Sequence, residues 1–205
     1  MNKVVTFLVA AVLGSLVPQL LLAQDGDPAA GQTKIAVCAT CHGTDGNSPI
    51  AMNPKLAGQS ENYLFKQLQD YQSGARQNAT MTAMVASLSE QDMADIAAWY
   101  ASQDVTLEGA DPASLELGQQ LYRAGNAELG VAACSACHGP AGGGNDPAGF
   151  PALSGQHGEY TLQQLRLFRS GERANDTGAM MRMTVERLTD RELEALASYV
   201  SGLHS

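Results

Sequence analysis

The sequence predicts an all-α chain made of two tandem helical domains, on three observations. One set of short motifs occurs twice in the same order. Within each copy, apolar residues recur at helical spacing. Alternating β-branched runs, the mark of strands, are almost absent.

The chain opens with Lys3 before an apolar run from Val4 to Leu22, which Ala23 closes ahead of Gln24-Asp25-Gly26-Asp27. This reads as a secretory signal peptide, residues 1–23. A membrane anchor is the alternative, because the run approaches the roughly 20 residues that span a bilayer; Gly14, Pro18 and the small Ala23 favour cleavage. Cleavage removes only Lys3 of the 12 Lys and Arg and leaves all 21 Asp and Glu, so the formal charge moves from −9 to about −10. Nucleic acid is a poor partner for such a surface. No second apolar span follows, so the mature chain is expected to be soluble, with at most a loose membrane association.

The repeat divides the remainder into a first domain, 24–103, a linker, 104–112, and a second domain, 113–205. Gly31-x-x-x-Ile35 answers Gly118-x-x-x-Tyr122. Cys38-Ala39-Thr40-Cys41-His42 returns as Cys134-Ser135-Ala136-Cys137-His138, and Pro54-Lys55-Leu56-Ala57-Gly58-Gln59 as Pro151-Ala152-Leu153-Ser154-Gly155-Gln156. A middle helix runs through Tyr63 to Tyr71 and through Tyr160 to Phe168, ending at Gly74 and Gly171. Ser73-Gly74-Ala75-Arg76 pairs with Ser170-Gly171-Glu172-Arg173. The last helices pass through Trp99 and Tyr199, with Ser89 and Thr189 as N-caps and Asp92 and Glu192 completing capping boxes. Offsets between copies grow from 87 to 96, 97 and 100, which puts nine extra residues before Cys134 and three between Arg173 and Met181. The linker, Asp104 to Pro112, has no apolar period.

All four cysteines lie in the two C-x-x-C-H motifs, a pattern that reads as covalent c-type haem attachment. Two thiols add to the two vinyl groups of one porphyrin, and the next residue brings an imidazole under the iron. A four-cysteine zinc site needs its knuckles roughly 15–20 residues apart, far closer than these. A thioredoxin-like pair needs a βαβ setting, and disulfides leave both histidines unexplained. Cys38 and Cys41, then Cys134 and Cys137, are therefore the expected attachment points of two haem c groups, with His42 and His138 as proximal iron ligands. Domains this small bury a marginal core alone, so each haem is expected to serve as part of it.

A sixth ligand decides between open-site chemistry and closed electron transfer. Methionine is abundant, but aligning the last helices pairs Met81 with Met181 and leaves Met84, Met180 and Met183 without a methionine counterpart. Met81 and Met181 are the candidate ligands, each expected in a loop seven residues before the leucine that opens the last helix; Met84 is the nearest rival. Pro54 and Pro151 follow their histidines by 12 and 13 residues, where a backbone carbonyl is placed to accept the second imidazole N–H. Arg76 and Arg173 are candidates to face haem propionates. His157, opposite Ser60 in the repeat, reads as a surface histidine, and His204 as a terminal one.

These residues resemble class I c-type cytochromes: the glycine of the first helix, C-x-x-C-H, Pro-x-Leu-x-Gly, the methionine segment and an aromatic last helix. The duplication, with Lys66-Gln67-Leu68-Gln69-Asp70, Asp95-Ile96-Ala97-Ala98 and Gly155-Gln156-His157, resembles the dihaem cytochrome c4 family over nearly the whole mature chain. The resemblance implies two His/Met haems in two domains about a pseudo-twofold axis. It also implies a periplasmic electron carrier, not an enzyme, standing between a donor such as a cytochrome bc1-type complex and an acceptor such as a terminal oxidase, with no substrate at the iron. The alternative is the cytochrome subunit of a larger oxidoreductase such as a flavocytochrome sulfide dehydrogenase. A peroxidase-like role needs an iron without its sixth ligand, and the paired methionines argue against it. Ile35 departs from the aromatic usual in the family, and the longer second-domain loops predict unequal haem surroundings.

Overall fold

A computed structural model describes residues 25–204; the expected signal peptide, 1–23, lies outside them. The first domain carries α1 (Pro28–Gln32), α2 (Ala39–His42), α3 (Glu61–Ser73), α4 (Ala79–Val85) and α5 (Glu90–Ala101). The second carries α6 (Leu115–Ala124), α7 (Ser135–His138), α8 (Gly158–Ser170), α9 (Met180–Val185) and α10 (Asp190–Ser201). No strand occurs among the described residues. Two isolated bridges, Asn126 with Val131 and Asn145 with Phe150, both belong to the second domain, the first within its nine-residue insertion.

Local chemistry sets the helix ends. Both capping boxes form: the Ser89 and Thr189 hydroxyls accept the Asp92 and Glu192 N–H groups, and those carboxylates accept the cap N–H groups in return. Helices α3 and α8 end on left-handed Gly74 and Gly171 at φ 81° and 80°. The methionine segments differ from the expected loops, because Met81 and Met181 stand in the first turns of α4 and α9. Asn78 starts α4 early, its side-chain oxygen accepting the Met81 N–H at 3.0 Å.

Each domain buries one apolar cluster: Ile35, Leu64, Ile96, Ala97 and Tyr100 in the first, and the larger set around Tyr122, Phe168, Leu193, Leu196 and Val200 in the second. Helix α1 crosses α5 and α6 crosses α10, and the crossings are glycine-dependent. A Cβ on Gly31 would stand 2.0 Å from the Asp95 carbonyl oxygen, and one on Gly118 2.3 Å from that of Ala195. In the first domain Asp95 adds a polar tie that its counterpart, Ala195, lacks. Its carboxylate, 3 % exposed, accepts the Asp27 N–H at 2.9 Å, Lys34 Nζ at 2.6 Å and Gln91 Nε2 at 2.8 Å.

The domains meet through reciprocal pairs. Gln59 Nε2 donates to the Ala152 carbonyl and Gln59 Oε1 accepts the Ala152 N–H, both at 2.8 Å. Gln156 repeats both bonds on Lys55 at 2.9 Å. Arg76 donates to Tyr160 Oη at 2.9 Å and Gln164 Oε1 at 2.8 Å; Arg173 donates to Tyr63 Oη at 2.9 Å and Gln67 Oε1 at 3.2 Å. The linking segment binds first one domain, Thr106 N–H to Asn47 Oδ1 at 2.7 Å, and then the other, Asp111 N–H to Ser198 Oγ at 2.8 Å.

Replacing Gly31 or Gly118 by Ala is expected to cost about 1–3 kcal/mol, the range for overpacked sites, seen as a lower unfolding temperature of the altered domain in calorimetry. The Asp27 N–H and Lys34 hold the Asp95 carboxyl below its ordinary value, against the opposing effect of its burial. Its stabilisation is therefore present above the ordinary carboxylate range near pH ~4 and is lost as pH falls through the lower folded value. Asp95→Asn should be less stable than the native chain at neutral pH and lose less of its remaining stability on acidification, which denaturant titrations at several pH values will show.

Candidate haem-binding sites

Each C-x-x-C-H motif forms a single helical turn. The Cys38 carbonyl accepts the Cys41 N–H at 3.2 Å and the His42 N–H at 3.0 Å; Cys134 repeats this with Cys137 at 3.2 Å and His138 at 2.9 Å. Residues three and four apart share a helix face, so the turn groups both thiols with the imidazole. The first thiol of each pair packs on its domain core and the second is exposed. Burial raises the Cys38 thiol and pushes Cys134 up to about 11. All four cysteines are free of disulfides, and among the described residues no group of three or more His, Cys, Asp or Glu is arranged to hold a bare metal ion.

Both histidines are buried, and each is fixed by one bond: His42 Nδ1 to the Pro54 carbonyl and His138 Nδ1 to the Pro151 carbonyl, both 2.9 Å. The carbonyl accepts, so Nδ1 carries the proton and Nε2 keeps its lone pair. Nε2 makes no hydrogen bond with the described residues in either domain. Burial lowers the proton affinity of both rings, and the proline carbonyl offsets only part of this. The neutral imidazole is the form that binds a metal.

Behind each histidine a phenol secures the chain. Tyr122 on α6 donates to the Gly139 carbonyl at 2.7 Å, whereas in the first domain Tyr100, on α5, donates to the Gly43 carbonyl at 3.3 Å. Ile35 holds the Tyr122 position, so the ring has moved from the first helix to the last, where the second domain has Val200. Burial raises both phenols, which keeps them protonated donors.

Of the methionines, Met81 and Met181 are partly buried, and Met181 packs against its domain core. Met52, Met84, Met180 and Met183 are exposed, Met183 most of all at 61 %. Arg76 and Arg173 are each 7 % exposed at the domain junction, lying over the Tyr71 and Phe168 rings at 4.8 and 4.4 Å. Phenols and amide oxygens accept three hydrogen bonds from Arg76 and four from Arg173, but neither guanidinium has a carboxylate partner among the described residues, a costly state for a buried cation. His157 corrects the sequence expectation: it is not on the surface but 7 % exposed between the domains, its Nε2 2.9 Å from the Ser48 carbonyl. The interface glutamines and tyrosines match between the copies in sequence, Gln59 with Gln156 and Tyr63 with Tyr160, but that match alone does not reveal that they join the domains.

A haem c fits this residue set. It needs two thiols beside a neutral imidazole with a free Nε2 and apolar surroundings, and each copy supplies them.

Comparison with known proteins agrees. The cytochrome c family profile matches residues 28–104 and again 115–204. Cytochrome c4 of Stutzerimonas stutzeri is 50% identical over 189 residues, covering 87% of this chain and 90% of that one. The thiosulfate dehydrogenase electron acceptor of Stutzerimonas stutzeri strain A1501 is 37% identical over 200 residues, covering 95% of this chain and 92% of that one. The crystal structure of reduced recombinant cytochrome c4 from Pseudomonas stutzeri superposes with a TM-score of 0.86 at 49% identity, covering 87% of this chain and all of that one. Two haem-attachment motifs, one in each of two tandem helical domains that match over nearly their whole length, place this chain in the cytochrome c family as a dihaem member of the cytochrome c4 type, with haem c bound through Cys38 and Cys41 and through Cys134 and Cys137.

Proposed function

We propose that the protein carries single electrons between respiratory partners in the periplasm, toward a terminal oxidase, with His42 and Met81 as axial ligands of the first haem iron and His138 and Met181 of the second. The observation that carries this reading is the repeated site: a buried imidazole with Nδ1 bound to a proline carbonyl, and a partly buried methionine in the matching column of both domains. A haem held by Cys38, Cys41 and His42, or by Cys134, Cys137 and His138, would supply reversible one-electron oxidation and reduction of its iron.

The chain's own groups keep that exchange inexpensive. Pro54 and Pro151 hold the imidazole planes, Tyr100 and Tyr122 tie down the turn that follows each histidine, and the core packs the first cysteine of each pair. Met81 and Met181, if they ligate the irons, would exclude small molecules and favour the reduced state, in keeping with a carrier that turns over no substrate. Arg76 and Arg173 are the counter-ions for the propionates at the junction. Export follows from cleavage after Ala23, which leaves the 24–103 and 113–205 units joined by 104–112; no helix among the described residues is long and apolar enough to cross a membrane.

A second reading rests on the relative named as an electron acceptor of thiosulfate dehydrogenase. In it the donor is a sulfur-compound dehydrogenase, and this chain is the cytochrome partner of that larger system, a role of the same kind as in flavocytochrome sulfide dehydrogenase. Stoichiometric copurification of a catalytic chain from native membranes or periplasm would support it, and its absence would leave the free carrier.

The exported protein should show two low-spin haems, a far-red band of methionine-ligated ferric haem, and no response of the reduced spectrum to carbon monoxide. Met81→Ala should remove about half of the far-red band and open one haem to carbon monoxide, Met181→Ala the other half, and Met84→Ala neither. Loss of the band in Met84→Ala with its retention in Met81→Ala would reassign the first ligand.

A further inference from the structure

The domain junction departs from its internal symmetry at one position. In one half, the Ser60 hydroxyl donates to the Asp146 carboxylate, which also accepts from Asn62, through its side-chain amide at 2.8 Å and its N–H at 3.1 Å. In the other half the residue equivalent to Ser60 is His157, reaching the equivalent loop of the first domain. Its Nε2 lies 2.9 Å from the Ser48 carbonyl and its Nδ1 2.6 Å from Glu108 Oε1 of the linking segment. Glu108 is shared with Lys55, whose Nζ lies 3.1 Å away and also donates to the Thr106 carbonyl at 2.6 Å.

Both ring nitrogens of His157 thus face acceptors. Only the imidazolium donates from both; a neutral ring sets one lone pair against an oxygen. The charged groups that face the ring are Glu108 and, behind it, Lys55. In the Ser48 loop the Asp45 carboxylate is turned to the Asn47 amide and N–H, both 3.0 Å, and Glu159, on the ring's own helix, lies exposed in an outer groove with Arg166 and Arg169. Burial opposes ionisation of Glu108, but Lys55 and His157 outweigh it and hold the carboxyl below its ordinary value. Lys55 and Glu108 cancel, so the proton on His157 is the net charge of the cluster.

That charge is connected to one haem-attachment turn. The Ser48 hydroxyl donates to the Cys41 carbonyl at 2.8 Å, so the ring stands two hydrogen bonds from the first C-x-x-C-H backbone. Among the described residues the second attachment turn has no such connection, since Ser60 replaces the ring there.

We propose that His157 is a redox-linked proton site that acts on the first haem and not on the second. The inference rests on the dihaem carrier reading. Oxidation adds a positive charge in the first domain and weakens proton binding at His157; reduction strengthens it. By reciprocity, the proton favours the reduced state. The balance is one electron from the redox partner and one proton from solvent, held on a His157 ring nitrogen, both returned on oxidation, while Lys55 and Glu108 keep their charges. Coupling between sites starts at about fivefold in affinity, enough to see in a potential.

The test is a spectroelectrochemical titration of the full, haem-loaded chain across about pH 5 to 8, with the haems assigned through the Met81 variant. The first-haem potential should fall as pH rises through the loss of the His157 proton, and the second should not follow it. His157→Gln, which keeps donors and acceptors but does not titrate, should flatten the first haem's dependence. Glu108→Gln, which leaves the ring in place, should move that dependence to lower pH. Proton NMR of the His157 ring should give a higher titration midpoint in the reduced than in the oxidised protein. A flat native response, a dependence that survives His157→Gln, a midpoint unmoved by Glu108→Gln, or equal ring midpoints in the two redox states would overturn the proposal. Failure of the carrier reading would appear separately, as the absence of two reversible low-spin haem spectra.

Discussion

A histidine can offer a lone pair to a metal from a buried site only if its other nitrogen is already held, and that bond organises both domains. His42 and His138 are fixed by carbonyls 12 and 13 residues downstream. The span between must therefore loop away and return to the same ring. Proline suits the return, because its missing N–H leaves a carbonyl to point inward without a donor to satisfy beside it. The phenols of Tyr100 and Tyr122 then secure the turn after each histidine, and the glycine crossings let the terminal helices approach closely enough to close the core behind it.

The same loops that return to the histidines build the junction. Lys55 and Ala152 each follow a ring-holding proline directly, and their backbones are what Gln156 and Gln59 clamp. A shift of one domain against the other is thereby felt within one residue of a ligand-holding carbonyl. Around this stand Arg76 and Arg173, hydrogen-bonded to phenols and amides but paired with no carboxylate among the described residues. Buried cations so arranged repel one another and would be a liability without an anion between or beside them. The proposed pairing of these arginines with haem propionates would supply that anion at the junction.

Much of this was legible in the sequence because the chain carries its own alignment. The attachment motifs, the capping boxes and the glycine helix ends are each written twice and each stands where its local pattern put it; the proposal of Met81 with Met181 rests on the same matching. Where the two copies diverge, the reading weakened. Ile35 looked like a lost aromatic contact, yet Tyr100 supplies the hydroxyl from another helix, a substitution across elements that no column-by-column comparison detects. His157 looked superficial because its counterpart in the repeat is Ser60; its burial depends on a surface that exists only once the domains have met. Gln59 and Tyr63 gave no chemical cue alone, since an amide or a phenol becomes structural only through its partner 93 or 110 positions away. The methionines were expected in loops because a single Asn cap, not an apolar period, begins α4.

The junction has the geometry of an isologous dimer enclosed in one polypeptide. In a dimer of identical chains every substitution at such a surface is made twice, so the two halves cannot diverge. A covalent tether removes that restriction and also supplies a high local concentration of each half for the other, which lets individually weak amide clamps suffice. The exchange of Ser60 for His157 is a change a symmetric pair has no means of confining to one side. The tether itself takes part, since Glu108 belongs to neither repeat and reaches one half of the junction only. Fusion thus lets one half of a duplicated junction hold a titratable ring where the other holds a hydroxyl, so the two halves are no longer chemically interchangeable.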